Sequence, residues 1–158
     1  MNYLQGMKLV AVLAVALSMG ACANKNPLDA NGAIGGAATP GSQQDFVVNV
    51  GDRVFFESDQ TDLSPQATAT LDKQAQWLQT YNRYSFTIEG HADERGTREY
   101  NLALGDRRAN ATKNYLAAKG VSSSRMTTIS YGKERPVAMG SDDQSWAANR
   151  RAVTVVLN

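Results

Sequence analysis

The residues of this chain best suited to chemistry lie between Glu89 and Gly120, in EGHADERGTREYNLALGDRRANATKNYLAAKG. Thr97 to Lys119 contains no proline and reads as a helix, with Gly120 just past its end where a left-handed cap is needed. On that helix Asn101, Gly105 and Arg108 stand at i, i+4 and i+7, so they share one face, and the glycine removes a side chain that would block approach to the other two. Asp93, in the loop before the helix, would bring a carboxylate close to the Arg108 guanidinium. Such a pair fits a zwitterion, the carboxylate taking an ammonium and the guanidinium forking onto a carboxylate. The same pair also fits a salt bridge between Asp93 and Arg108, and spacing alone leaves both readings open.

One other constellation has chemical potential. His91, the sole histidine, stands close in sequence to Asp93 and Glu94, as a metal site or an acid–base pair would require. Zinc needs three or four ligands, and there is no second histidine and only one cysteine, Cys22, to complete the set. No serine elbow or second thiol offers a nucleophile. The sequence therefore predicts no enzyme, no metal and no cofactor, and reads His91 as a packed, hydrogen-bonded side chain at a strand end.

The elements that must position these groups are legible from periodicity. Tyr84, Phe86 and Ile88 alternate with Ser85, Thr87 and Glu89 in a strand that breaks at Gly90, so the charged loop hangs between a strand end and a helix start. Binding sites are often built at such junctions. Leu102, Ala109 and Leu116, extended by Leu104 and Ala111, give the long helix an apolar stripe for docking on a sheet. Upstream, Phe46, Val48 and Val50 alternate as a strand would, Gly51-Asp52 turns the chain, and Val54-Phe55-Phe56 forms a second short strand. Ser64-Pro65 caps and opens a helix whose buried face is Ala67, Leu71, Ala75 and Leu78, ending near Tyr81. Downstream, Arg125 to Tyr131 is a strand and Gly132 to Pro136 a turn. A short helix from Asp142-Asp143 carries Trp146 on its buried side, and Arg150 to Leu157 is the last strand. Arg150 and Arg151 point to opposite faces there, and a structural ion pair is the expectation for one of them. The predicted fold is α/β in the sense of an α+β sandwich, a mixed sheet covered by helices on one side.

These motifs together resemble the OmpA-like peptidoglycan-binding domain family. HADERGT, YN and LGDRRA are most similar to the form that domain takes in the peptidoglycan-associated lipoproteins (Pal) of Gram-negative bacteria. VFFESDQTDLSP, ISYGKERP and NRRAV extend the likeness over about residues 46 to 157. The resemblance implies that Asp93 and Arg108 grip the amino-acid end of meso-diaminopimelate in the peptidoglycan stem peptide. It also implies that Arg95 and Asn101 line that pocket and that Asp59, in an acidic loop with Glu57 and Asp62, flanks it. Thr61 stands where the family has a tyrosine or similar residue. On composition alone the three acids of that loop also read as a solvated turn. The resemblance further implies a part in the Tol-Pal system, with TolB and other Tol proteins as partners. An OmpA-like lipoprotein outside that system is the alternative.

The N-terminal segment reads differently from the rest. Lys8 precedes an apolar run from Leu9 to Leu17, too short to span a bilayer, and Ser18-Met19-Gly20-Ala21 then leads into Cys22. Residues 1–21 are the expected export signal, with Met7-Lys8 resembling its usual opening, and Cys22 is the expected lipidation site. Ala23 follows where an aspartate would resemble the inner-membrane retention signal, so the outer membrane is the expected location. Residues 22–44, with Pro27, Gly32, Gly35, Gly36 and Pro40 and almost no large apolar side chain, read as a tether, leaving 45–158 as the folded domain. Without Lys8, the only charged residue before Cys22, the basic residues equal the 15 acidic ones, so nothing in the charge speaks for nucleic acid.

Overall fold

A computed structural model describes residues 38–158, which belong to one compact unit, Ala37–Asn158. The expected lipidation site Cys22, the export signal and most of the tether lie outside the described residues. The unit is built around a four-stranded sheet in the order β1-β4-β2-β3: β1 (Arg53–Phe55), β2 (Ser85–His91), β3 (Met126–Gly132) and β4 (Arg151–Leu157). Strand β4 is antiparallel to both β1 and β2, while β2 and β3 run parallel. The sheet is therefore mixed, as expected.

Two long helices supply most of the cover. Helix α2 (Pro65–Thr80) starts as the sequence dictates, with the Ser64 hydroxyl accepting from the Ala67 N–H and proline at the first helical position. Its expected face, Ala67, Leu71, Ala75 and Leu78, is buried together with Gln74 and Trp77. Helix α3 (Arg98–Ala118) is the crossover between the parallel strands and is capped by Thr97, whose hydroxyl accepts from Tyr100 N–H. Gly120 follows its end at φ +95°, where any other residue would be strained. Strand residues alternate accordingly: Phe86, Ile88, Met126, Ala152, Thr154 and Val156 fill the core, whereas Ser85, Thr127, Ile129 and Leu157 on the opposite face are exposed. Gln74 and Thr154, polar but buried, satisfy each other through a 2.9 Å hydrogen bond.

Three expectations need correction. The alternation of Phe46, Val48 and Val50 does not mark a strand. A short helix, α1 (Gln43–Asp45), runs into a π-helical turn over Phe46–Val50. Phe46 is buried, Val50 is half-buried and Val47 and Val48 are exposed, so the inward side chains are four apart, as on a helix. The Ser42 hydroxyl caps α1, and the Asp45 carboxylate accepts from Gly41 N–H, Asn49 and the Trp77 indole. The packed structure therefore starts somewhat before residue 45, since Tyr84 and Arg83 also donate to the Gly41 carbonyl.

The second correction concerns the inward face of α3. Leu102 is exposed, and the buried set is Asn101, Leu104, Gly105, Arg108, Ala109, Thr112 and Leu116. Helix α3 crosses β2 where two glycines meet. A Cβ on Gly90 would fall on the Gly105 carbonyl, and one on Gly105 would strike Ser130 Oγ. That contact rolls the polar residues Asn101 and Arg108 inward and Leu102 outward. Third, β2 does not end at Gly90 but continues through a register irregularity to His91.

Candidate functional site

Strand β2 delivers Asp93 two residues beyond its end, and the first three turns of α3 deliver Asn101 and Arg108. The loop Glu57–Asp62, after β1, brings Asp59 from the other side. These side chains and Arg95 line one cavity of about 310 Å³, with Ser58 and Tyr100 at its walls. The five residues expected at the site thus converge on a single place.

Their pairings depart from the salt bridge that spacing left open. Among the described residues no ion pair joins Asp93 to Arg108. Arg108 is fully buried and donates through Nε to the Gln60 carbonyl at 2.9 Å, and through its terminal nitrogens to the carbonyls of His91 at 2.9 Å and Glu57 at 3.0 Å. Its guanidinium lies over the Phe56 ring at 5.1 Å. These bonds leave part of the fork's donor capacity unused, and the group still lines the cavity. Burial, and after it the nearby Arg150 charge, lowers the Arg108 pKa to about 10 against the pull of Asp93 and Asp59. The site is therefore built around a cation held by neutral dipoles, a state that a carboxylate would relieve.

Asp93, also buried, meets Arg95 instead. Arg95 donates to it from its backbone N–H and Nε at 3.1 Å and from a terminal nitrogen at 2.7 Å, and an Arg150 nitrogen lies 3.6 Å from Oδ2. Burial pushes the Asp93 carboxyl up, but the Arg95 hydrogen bonds and the charges of Arg95 and Arg150 outweigh it and hold the group below its usual range. Arg150 is thus the arginine with the expected structural ion pair. Arg151 is buried instead among the carbonyls of Asn149 and Arg135.

Asn101 lines the cavity and at the same time ties its rim, donating to the carbonyls of Arg95 and Thr97. Lys133, from the turn after β3, braces the same loop through the carbonyls of Glu94 and Gly96. Asp59 adopts φ +60°, the one described non-glycine residue in the left-handed region, and accepts a hydrogen bond from the Tyr100 hydroxyl.

Trp146 is missing from the sequence-derived set. The sequence reads it as a buried residue of helix α4 (Asp143–Asn149), but it is half-buried and faces the site loop. Its indole donates to Glu94 at 3.0 Å, and its ring lies under the Arg95 guanidinium at 4.2 Å. Arg95 also donates to Ser58 at 3.0 Å. Only the tertiary structure brings α4 and Ser58 to this loop, so nothing in the local sequence signals either role.

The HADE residues do not act as a group. The His91 ring is buried against Tyr131, with Nε2 3.4 Å from Glu89, while Glu94 turns to Trp146. Among the described residues no cluster of His, Cys, Asp and Glu is placed to hold a metal ion.

Comparison with known protein families matches residues 55–150, most of the described unit, to the OmpA family. The chain belongs to the OmpA family. Its similarity to peptidoglycan-associated lipoproteins bears out the resemblance read from the motifs. The chain is 60% identical over 152 residues to the peptidoglycan-associated lipoprotein of Rhizobium meliloti, covering 94% of this chain and 86% of that one. It is 46% identical over 132 residues to that of Pseudomonas aeruginosa, covering 84% and 78%. Among solved structures, the peptidoglycan-associated lipoprotein from Burkholderia pseudomallei superposes with a TM-score of 0.69 at 40% identity, over 73% of this chain and all of that one. The C-terminal domain of Helicobacter pylori MotB, at 19% identity and a TM-score of 0.63 over 68% and 84%, shares the fold. In this OmpA-family domain every residue of the expected site lies inside the matched span.

Proposed function

We propose that the domain is a binding module for peptidoglycan that takes the free amino-acid end of diaminopimelate in the stem peptide. The observation carrying this reading is that Asp93 and Arg108 reach one cavity without pairing with each other. The ammonium of the ligand goes to Asp93 and its carboxylate to the donors that Arg108 does not spend on carbonyls, while Asn101 and Arg95 shape the rim and Asp59 closes the far side. The relatives' name, peptidoglycan-associated lipoprotein, supports peptidoglycan as the polymer bound. Each charge-assisted bond contributes about 1.5 to 3 kcal/mol, so loss of one partner weakens binding about tenfold or more. The test is binding of wild type and Asp93→Ala to diaminopimelate-type and lysine-type peptidoglycan, with circular dichroism as the folding control. Equal binding to both cell-wall types, or a folded Asp93→Ala that binds like wild type, would sink the assignment.

The same proposal makes the chain a non-enzymatic lipoprotein, exported by residues 1–21 and acylated on Cys22. Residues 22–40 then span from the outer membrane to a periplasmic domain, which begins at the fastened residues 41–45. Two or more acyl chains hold a protein firmly to a membrane where one is marginal. Cys22→Ser is expected to move the protein from the outer-membrane fraction to the soluble periplasm, and retention in the membrane would refute the anchor. The likeness to the peptidoglycan-associated lipoproteins supports a place in the Tol-Pal system, with TolB competing for the face that holds peptidoglycan. Pull-down on isolated sacculi with and without TolB tests this, and unchanged recovery with TolB in excess would count against a shared face.

A further inference from the structure

The Asp93 carboxylate is already occupied by a cation from its own loop. Arg95 reaches it with three hydrogen bonds, two from the side chain, and is itself seated on Ser58 and on the face of Trp146. Two of those bonds fill Oδ1 and one takes Oδ2, the oxygen that the Arg150 charge also faces at 3.6 Å, so the carboxylate has little acceptor capacity left. An incoming ammonium must therefore take the place of the Arg95 guanidinium rather than settle on an empty acceptor. The Arg95 side chain is 42% exposed, against 9% for that of Asp93, so it is the partner able to leave.

We infer that Arg95 is the specificity-determining residue of this site, an internal cation that lets Asp93 respond only to ligands bringing an ammonium and a carboxylate together. This rests on the proposal that Asp93 takes the ligand's ammonium. A ligand with an ammonium alone exchanges one cation on Asp93 for another and strands the displaced guanidinium, so the exchange is close to neutral. A zwitterion makes the same exchange and also presents a carboxylate to the guanidiniums of Arg108 and of the released Arg95. The selectivity thus comes from a penalty on the wrong ligand as well as from contacts to the right one. Ser58 and Trp146 matter because they hold Arg95 in the competing position.

Calorimetric titration of two soluble stem peptides, alike except for meso-diaminopimelate or lysine at the third residue, tests this on wild type, Arg95→Gln, Ser58→Ala and Asp93→Asn. In Arg95→Gln the ratio of affinities for the diaminopimelate and lysine peptides is expected to fall about tenfold, chiefly because the lysine peptide gains. Ser58→Ala, which removes one of Arg95's bonds and leaves Asp93 and Arg108 in place, is expected to shift the ratio the same way by less. An unchanged ratio in folded Arg95→Gln overturns the inference. If Asp93→Asn loses both peptides while Arg95→Gln keeps the wild-type ratio, only this inference fails. If Asp93→Asn binds like wild type, the reading of Asp93 fails and the inference with it.

Discussion

Substituting Arg108 by alanine removes a buried guanidinium and strips three carbonyls, those of Gln60, His91 and Glu57, of their donor. Only the bond to the His91 carbonyl is fully buried, and a buried group left without a partner costs about 1 to 3 kcal/mol, so Arg108→Ala is expected to lose about that much stability. Urea denaturation reads this directly, and a midpoint within error of wild type would show that the carbonyls find other partners. Position on the helix suggests that Arg108 lies clear of the packed face, but it sits at the centre of that face, so binding data on Arg108→Ala have meaning only beside a folding measurement. His91 makes a second prediction at this scale. Burial, then the charges of Arg151 and Arg135, lowers its pKa from 6.5 to about 4. The unfolded chain therefore binds a proton near pH 6.5 that the folded chain accepts only near pH 4. The contribution is complete above the higher value and is lost as pH falls to the lower one, a change of about 3 kcal/mol in all. His91→Gln should flatten that part of the acid limb when urea midpoints are compared across the window. An acid limb parallel to wild type would mean that other groups set it.

At the scale of elements, the meeting of α3 with β2 decides whether the cavity exists. Gly105→Ala places a methyl group against Ser130 Oγ and the Gly90 carbonyl, so α3 must lift or rotate away from the sheet. Overpacking of this kind costs about 1 to 3 kcal/mol, and here it also displaces Asn101 and Arg108. A lowered melting temperature together with weaker peptidoglycan binding is the expected pair of results, and full binding at wild-type stability would show that the backbone yields elsewhere. The ends of α2 and α3 were legible in the sequence because Ser64, Pro65, Thr97 and Gly120 act on their own local backbone. The rotation of α3 about its axis was not. Its inward face mixes Leu104 and Leu116 with Asn101, Arg108 and Thr112, so apolar spacing gives it no direction, and the close approach that fixes it depends on Gly90, a residue of another element. Phe46–Val50 misleads for a related reason, since its four apolar residues fit both periods and the tertiary bond from Trp77 to Asp45 selects the helical one.

For the whole molecule, the edge of the folded unit is a testable quantity. Removing residues 26–36 takes away few apolar side chains and is expected to leave the melting temperature unchanged. Extending the deletion through Asp45 removes the acceptors of Tyr84 and Trp77 and exposes the ring cluster of Phe46, Trp77, Tyr81 and Tyr84. A fall of several degrees is then expected in calorimetry. Equal melting of the two deletions would place the boundary where composition alone puts it, near residue 45. Of the five expected residues that line the cavity, Asp93, Arg95, Asn101 and Arg108 were legible together because they fall in one continuous motif, whereas Asp59 comes from a separate loop. Their partners were not, since Arg95 rests on Ser58 and Trp146, 37 and 51 positions away in the chain.

The fastening of residues 41–45 also bears on how the domain withstands force. These residues grip Tyr84 and Trp77, and Tyr84 is the residue immediately before β2, the strand that ends at the site loop carrying Asp93. A pull between the N-terminal end of the domain and a ligand in the cavity is therefore carried along one strand, which β3 and β4 flank on both sides. Tension along that axis runs through the covalent backbone of β2, and the ladders on both sides hold the loaded strand in the sheet. Helix α3 then acts as the clamp that keeps the loaded strand from sliding, through the same glycine contact that shapes the binding cavity.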